Sequence, residues 1–260
     1  MMLEFFSATD TGRARNNNED SIAIDEDNAL VVLADGMGGY NAGEVASGMV
    51  ASFIKTELGR WLAEASEAAS DADVRRAMDI CVDNANRAIF NAANSNPQYA
   101  GMGTTLVVGV FRHGRLLLGH VGDSRGYRLR AGRLTQITHD HSLLQEQIDS
   151  GLITAEQAAF SSNKNLVTRA VGVEDTVLLE THAHDVMPGD TYLLCSDGLS
   201  DMIDDETIAH LMQSSNTLHD AGTVLVGAAN EAGGKDNISV VLARPRSPAT
   251  AARSWWPFRR

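Results

Sequence analysis

Short apolar runs rich in β-branched residues alternate with polar turns along most of the chain, a pattern that predicts strands. Two stretches differ, because their apolar residues recur every three or four positions. These stretches, Ala42–Leu62 and Asp73–Ala93, are predicted to be amphipathic helices. The predicted strands are Leu3–Ala8, Ser21–Asp25, Ala29–Ala34, Thr104–Phe111, Arg115–Val121, Gly126–Arg130, Arg133–Thr138, Thr176–Asp185, Thr191–Cys195 and Asn237–Ala243.

The four apolar runs between residues 104 and 138 follow one another closely. His113-Gly114 and Ala131-Gly132 divide them and favour tight turns. This part of the chain is therefore predicted to form an antiparallel meander.

Shorter helices are predicted in the second half of the chain. Ser142–Asp149 has a helical pattern, and two capping-box spacings, Thr154 to Gln157 and Thr217 to Asp220, mark helix starts. Many antiparallel strands with two long early helices and further helices late in the chain predict a sheet sandwich with helical outer layers.

Five clusters rich in aspartate and glycine lie in order along the chain, most of them directly after an apolar run. Carboxylates at strand ends on tight turns can converge in space although they are far apart in sequence. Like charges held that close repel one another and resist losing water, so they need cations. The clusters therefore indicate a site for hard metal ions. They are Arg15-Asn16-Asn17-Asn18-Glu19-Asp20, Asp35-Gly36-Met37-Gly38-Gly39, Gly122-Asp123-Ser124-Arg125, Ser196-Asp197-Gly198 and Lys235-Asp236-Asn237.

Composition narrows the class of protein. Apolar residues make up 43% of the 260, which is ordinary for a globular protein with a sizeable core. A net charge of −13 argues against nucleic acid as a partner, because binding phosphates needs a basic face. No apolar run is long enough to span a membrane, and the first residues lack the pattern expected of a signal peptide. Cys81 and Cys195 are expected to be buried free thiols in a reducing cytoplasm.

Oxygen ligands from aspartate and from backbone carbonyls suit Mg²⁺ or Mn²⁺. Zinc is disfavoured, because the eight histidines form no His-Glu-x-x-His or Cys/His array. Two hard cations about 4 Å apart can hold a bridging hydroxide and clamp a phosphoryl group. Arg15, close in sequence to Asp20, is the candidate phosphate ligand, since its planar guanidinium matches phosphate oxygens.

The chain resembles the bacterial PPM (type 2C) metal-dependent Ser/Thr protein phosphatases over about residues 5–243. Seven motifs in family order carry the resemblance: Arg-x-x-Asn-Glu-Asp, Ala-Asp-Gly-Met-Gly-Gly, Gly-Thr-Thr (103–105), Val-Gly-Asp-Ser-Arg (121–125), Thr-x-Asp-His-Ser (138–142), Ser-Asp-Gly and Lys-Asp-Asn. It implies an α+β fold, an αββα sandwich of two antiparallel sheets with helices on the outer faces. It also implies hydrolysis of phosphoserine and phosphothreonine in proteins by a metal-bridging hydroxide, with Mn²⁺ or Mg²⁺ as cofactor.

The resemblance also implies roles for individual residues. Asp35 would bridge both metals, and Asp197 and Asp236 would complete the first site. The Gly36 carbonyl would bind the second metal, with Asp20 acting through a water. Asp123 and Asp197 would hold a weaker third ion, Arg15 would bind the substrate phosphate, and residues 151–165 would form a flap beside the site.

Two departures from the family pattern leave the metal ligands intact. Tyr40 stands where many bacterial members have histidine, and Ser161-Ser162 replaces a His-Pro-like pair in the flap. They bear on the identity of the general acid and on the substrate preference of the flap.

A single cluster could be only a turn, since aspartate and glycine are common turn residues. Arg15 alone could be a solvated side chain, and Asp123 could simply cap a turn. The triplet His139-Asp140-His141 resembles the His-Asp doublet of another phosphohydrolase class, but it follows a strand and is expected to form a turn.

Two hypotheses for the function follow. The first is an active phosphatase, expected to be a cytoplasmic monomer that acts in signal transduction against a bacterial Ser/Thr kinase and its substrates. The alternative is a catalytically silent relative that binds phosphoproteins as a regulatory module. A silent relative should have lost an aspartate, whereas Asp20, Asp35, Asp197 and Asp236 all remain.

The sequence divides into a phosphatase domain, residues 1–243, and a tail, residues 244–260. The tail contains five arginines, no acidic residue and two of the three tryptophans. It is either a disordered basic extension or a weak anchor for a membrane surface or an acidic partner.

Overall fold

The computed structural model describes residues 2–39, 42–158 and 166–246. Antiparallel strands form its centre. Numbered in chain order, they are β1 Leu3–Asp10, β2 Asp20–Asp25, β3 Leu30–Met37, β4 Gly103–Thr104, β5 Leu106–Arg112, β6 Arg115–Val121, β7 Arg125–Arg130, β8 Arg133–Gln136, β9 Glu180–Asp185, β10 Thr191–Cys195 and β11 Ile238–Pro245.

Helices cover the strands. In chain order they are α1 Ala42–Glu64, α2 Asp71–Ser95, α3 Leu143–Asp149, α4 Ala155–Ala158, α5 Asp197–Ser200, α6 Asp205–Ser214 and α7 Leu218–Glu231, with a single 3-10 turn at Pro97–Tyr99.

Side-chain caps set the helix starts that the sequence indicates. Thr154 and Gln157 satisfy each other's backbone N–H groups, and the Thr217 hydroxyl accepts from the backbone of Asp220. The second long helix starts earlier than predicted, because Ser70 and Asp73 form a full capping box.

Two antiparallel sheets face each other. The first has the strand order β1-β11-β10-β7-β8, and the second has β2-β3-β5-β6-β9, with β4 paired to the end of β3. Helices α1 and α2 pack on the outer face of the second sheet, and α6 and α7 pack on the first. The predicted fold class, a sandwich of two antiparallel sheets with helices on the outer faces, is confirmed.

Three apolar layers hold the sandwich together. One joins the two long helices to the second sheet, one joins the late helices to the first, and one fills the space between the sheets. Burial of apolar side chains at about 25 cal/mol per Å² is the main stabilising contribution in such layers. Cys81 and Cys195 are both buried and free, as predicted.

The predicted meander is wrong. β5 and β6 pair in the second sheet, but β7 and β8 belong to the first. The chain crosses between sheets at Gly122, whose φ of +100° lies in the region that favours glycine. Four consecutive strands therefore build two hairpins in different layers, and the crossing turn carries Asp123.

Several strand boundaries differ from prediction, and the differences at β9 and β11 have local reasons. β9 begins at Glu180 rather than Thr176, because Glu180 faces His120 and its partner β6 ends one residue later, at Val121, which leaves residues 176–178 without a partner on that strand. β11 extends beyond Ala243 to Pro245, where Arg244 bonds to Glu4 on the neighbouring strand.

The last strand thus includes two residues that were expected to belong to the tail. Residues 247–260, which hold both tail tryptophans, lie outside the described residues. Among the described helices, none has the length and apolar character needed to cross a membrane.

Candidate metal centre

The five predicted aspartates meet at one end of the sandwich. Asp20 opens β2 and lies directly opposite Asp35 near the end of β3. The other three sit where the chain enters or leaves the first sheet. They are Asp123 between β6 and β7, Asp197 directly after β10, and Asp236 shortly before β11. The aspartates thus come from both sheets, as expected from carboxylates at strand ends.

Glycines at this end allow backbones to approach closely. A Cβ on Gly36 would lie 2.1 Å from the backbone oxygen of Gly43 at the start of α1. A Cβ on Gly198 would lie 2.0 Å from the backbone oxygen of Asn237. Side chains at these two positions would push apart the segments that carry Asp35 and Asp197.

Asp35 is held by a break in a strand that the sequence predicted to be continuous. Thr105 leaves the ladder between β4 and β5, and its hydroxyl accepts the Asp35 N–H at 3.0 Å. Its own N–H donates to the Asp35 carbonyl at 2.8 Å. The same hydroxyl lies 2.8 Å from the Ser124 hydroxyl, so Asp35 is linked to the turn that carries Asp123.

Ser196 and Asn237 connect the two sheets beneath the cluster. The Ser196 hydroxyl donates to Asp20 at 2.9 Å and accepts from the Ser239 N–H at 3.0 Å. The Asn237 amide donates to two carbonyls of the loop before β2, and its oxygen accepts the Glu19 N–H at 2.7 Å. These bonds fix the loop that contains Arg15 and leads to Asp20 to the start of β11.

The cluster is strongly repulsive without a cation. Burial, followed by the negative charges of Asp20 and Asp197, raises the pKa of Asp35 well above its ordinary value. Burial and the charge of Asp123 do the same to the pKa of Asp197. Burial raises the pKa of Asp20 to about 7, and burial with the charge of Asp140 raises that of Asp123 to about 6.

Two carboxylate oxygens in the cluster show that its donors fit metal ions. Asp20 Oδ1 and Asp197 Oδ1 are buried and have no hydrogen-bond partner among the described residues. Such an oxygen is costly unless something binds it. All the charged donors are carboxylates, the ligands that Mg²⁺ and Mn²⁺ prefer.

Arg15 lies at the edge of the cluster. Its guanidinium donates to Asp236 at 2.7 Å, and 54% of its side chain is exposed. The contact with Asp236 raises the pKa of Arg15 further, so its positive charge is permanent. A cation directed at a predicted metal ligand, with more than half its surface open, is placed to meet an incoming anion.

A cavity of about 480 Å³ opens beside the cluster, with Asp123 and Asp197 in its wall. Leu144 and Ile148 of α3 and Ala158 of α4 also line it. Ala158, in the described part of the predicted flap, therefore shares this cavity with Asp123 and Asp197.

Asp201 also belongs to this acidic group, although the sequence analysis did not predict it. It lines the same cavity, and its charge contributes to the raised pKa values of Asp123 and Asp197. Its place one helical turn after Asp197 is the signal that could have identified it.

Asp140, whose charge contributes to the raised pKa of Asp123, accepts hydrogen bonds from two nitrogens of the Arg125 guanidinium, and the shortest of them is 2.7 Å. Residues 139–141 lie outside any helix or strand, which is compatible with the predicted turn. The two departures from the family pattern, at Tyr40 and at Ser161-Ser162, lie outside the described residues.

Comparisons with known proteins agree on one family. The sequence model of the protein phosphatase 2C family matches residues 11–234. The serine/threonine phosphatase stp of Listeria innocua is 36% identical over 237 residues, which are 90% of this chain and 92% of that protein. The serine/threonine protein phosphatase PstP of Mycobacterium tuberculosis is 40% identical over 94% of this chain, which spans 45% of PstP.

Solved structures show the same similarity. The PstP catalytic domain in complex with two manganese ions superposes with a TM-score of 0.79 at 40% identity, covering 93% of this chain and 97% of that one. Staphylococcus aureus Stp1, a serine/threonine phosphatase, gives a TM-score of 0.87 at 32% identity, covering 95% of this chain and 96% of Stp1.

Proposed function

This chain belongs to the protein phosphatase 2C family, and we propose that it hydrolyses phosphoserine and phosphothreonine esters in proteins with Mn²⁺ or Mg²⁺ as its cofactor. The observation that carries the proposal is the cluster of five aspartates in which two buried oxygens have no partner among the described residues. Such a site is built to bind divalent cations, and the family uses them to cleave phosphate esters.

We assign the first metal to Asp35, Asp197 and Asp236, and the second to Asp35, the Gly36 carbonyl and, through a water, Asp20. Divalent cations at this site would lower the pKa of a water and offset negative charge on a phosphate. The protein fixes the ligands by pairing Asp20 with Asp35 across two strands and by holding Asp35 on Thr105. A weaker third ion would bind Asp123 and Asp197.

Arg15 is proposed to bind the substrate phosphate. Its guanidinium lies at the edge of the cluster, and a phosphate oxygen can accept from the N–H groups that do not face Asp236. The residues between 151 and 165 are proposed to shape the approach of the phosphoprotein. Ala158, in the described part of this segment, already lines the cavity.

We also propose the partners, the cellular compartment and the oligomeric state of the protein. A bacterial Ser/Thr kinase is proposed to supply the phosphoproteins in a signalling pathway, because the similar phosphatases come from bacteria. Two free, buried thiols are compatible with a reducing cytoplasm. The enzyme is proposed to act as a monomer, in which residues 1–243 form the phosphatase domain.

The test is release of phosphate from phosphoserine and phosphothreonine peptides by the purified protein, with Mn²⁺ and with excess chelator. Wild type should be active only with the metal, and Asp35→Asn should be inactive because the bridging charge is lost. Asp27→Asn, at an exposed aspartate in the β2–β3 turn, is the matched control and should behave as wild type. Full activity in chelator would overturn the metal-dependent mechanism. Phosphopeptide binding without hydrolysis would instead indicate a silent regulatory module.

A further inference from the structure

A group of histidines and one glutamate, none of them among the predicted metal ligands, lies between β6, β9 and the segment after β8. His120, His141 and Glu180 offer ligand atoms within 4.8 Å of one another, which invites a second metal site. Two details of the geometry argue against it.

The rings of His120 and His141 stack with centroids 4.8 Å apart and planes 17° from parallel. Ring nitrogens bind metals along lone pairs in the ring plane, so two nearly parallel stacked rings do not converge on one ion about 2 Å from each. His120 also directs Nε2 at the His139 carbonyl, 2.7 Å away.

The second detail is which ring nitrogen of His141 carries the proton. Its Nδ1 accepts the Gly122 N–H at 3.2 Å, so this nitrogen carries a lone pair. A neutral imidazole then has its proton on Nε2, and Nε2 lies 3.1 Å from a Glu180 oxygen that can accept it. A nitrogen that donates a proton to a carboxylate is not available to a metal.

We propose that Glu180 is a positioning residue for the metal centre, which acts by fixing His141 in the tautomer that holds the Gly122–Asp123 turn. Gly122 is bound to His141 twice, because its carbonyl also accepts the His141 N–H at 3.0 Å. Without Glu180 the proton can move to Nδ1, where it would face the Gly122 N–H, donor against donor. The turn that presents Asp123 would then lose one of its two bonds to His141.

Glu180 is suited to this role. Burial disfavours its charged form, but hydrogen bonds from His182 and His141 outweigh burial and lower the pKa of Glu180 to about 2. It therefore remains a charged acceptor at neutral pH. Glu180 lies opposite His120 on the edge strand β9, outside all the motifs that point to the metal site.

This inference rests on the proposed function, which places a third metal site at Asp123 and Asp197. Its test does not require the protein to hydrolyse a substrate. Binding of Mn²⁺ is measured by the EPR signal of the free ion, for wild type, Glu180→Ala and the isosteric Glu180→Gln. In Glu180→Ala the weakest class of Mn²⁺ sites should lose roughly tenfold in affinity, as is typical when a group behind a ligand is removed. Glu180→Gln should lose less, because its amide oxygen still accepts from Nε2.

A double-mutant cycle separates positioning from general destabilisation. Adding Glu180→Ala to Asp123→Ala should weaken Mn²⁺ binding no further, because the two changes act through one ligand. An equal loss in both backgrounds would overturn the proposal.

Two matched controls are available. Glu4→Gln changes a carboxylate of similar exposure, 35% against 31%, at a distant ion pair. His182→Gln removes the other hydrogen bond to the same glutamate. Both should bind Mn²⁺ as wild type does, and a tenfold loss in either would contradict the assignment.

Long-range ¹H–¹⁵N NMR correlations read the tautomer directly, whether or not the protein is a phosphatase. Wild-type His141 should show protonated Nε2 and unprotonated Nδ1, and Glu180→Ala should shift the population toward Nδ1–H. A wild-type His141 protonated on Nδ1 would overturn the proposal. So would stoichiometric Zn²⁺ binding that disappears in Glu180→Ala, because the cluster would then be a metal site.

Discussion

Substitution of Asp20 by asparagine should stabilise the metal-free protein while weakening its affinity for metal. The side chain is buried among other carboxylates, and one of its oxygens has no partner among the described residues. Asparagine has the same shape and keeps an oxygen that accepts from the Ser196 hydroxyl, now bonded to Asp20 at 2.9 Å. The change therefore removes charge with little loss of contact.

The size of the effect follows from the pKa of Asp20, which burial raises from 3.8 to about 7 in the folded protein. Between those values the folded state holds a proton that the unfolded state has lost, so stability falls as pH rises. A shift of about 3 units at about 1.36 kcal/mol each gives an upper limit of about 4 kcal/mol, reached above pH 7. Asp20→Asn should recover part of this at pH 8 and almost none at pH 4.

Chemical denaturation in excess chelator, at pH 8 and pH 4, measures the difference. We expect a gain of about 1–4 kcal/mol at pH 8, or ~2 °C or more in Tm. Excess Mn²⁺ should reverse the order, because wild type gains more from a ligand that binds only the folded state. Asp27→Asn is the exposed control. A metal-free Asp20→Asn that is less stable than wild type at pH 8, or equally stabilised at both pH values, would refute the electrostatic reasoning.

Three further predictions concern the remaining parts of the site. Arg15→Ala should raise KM for a phosphate ester by about tenfold or more with a smaller fall in kcat, since uniform binding appears in KM; steady-state kinetics showing a fall in kcat alone would contradict this. Asp123→Ala should slow turnover while retaining two tightly bound Mn²⁺ ions. A titration that still finds a third ion, together with a normal turnover rate, would show that Asp123 is not part of the site. Deletion of residues 247–260 should leave hydrolysis of a small ester unchanged but reduce sedimentation with anionic liposomes at low salt. Absence of liposome binding by the full-length protein at low salt would disprove the membrane version.

The sequence predicts the layers of this fold better than the connections between them. Hydrophobic periodicity identifies the two long helices and most strands, because each buries one face. Periodicity cannot say which sheet a strand joins, so the runs before and after Gly122 looked like one meander. The crossing depends on a positive φ at Gly122, and a single glycine does not reveal its φ in a sequence.

The candidate metal centre likewise has a part that the sequence predicts and a part that it does not. The motifs located the five aspartates, because each lies in or next to the end of a strand at one end of the sandwich. The supporting contacts were not predictable, since Thr105 leaves a strand to bind Asp35 and Glu180 reaches the turn of Asp123 only through His141. Both depend on long-range pairing that local patterns do not encode.

We infer that carboxylates from the two sheets form one centre for divalent cations. Crystals of the protein grown with Mn²⁺ test it directly through the anomalous scattering of the metal. We expect two strong peaks among Asp20, Asp35, Asp197 and Asp236, with any weaker third peak at Asp123. Strong peaks at His120 and His141 instead, or none among the aspartates at saturating Mn²⁺, would contradict it.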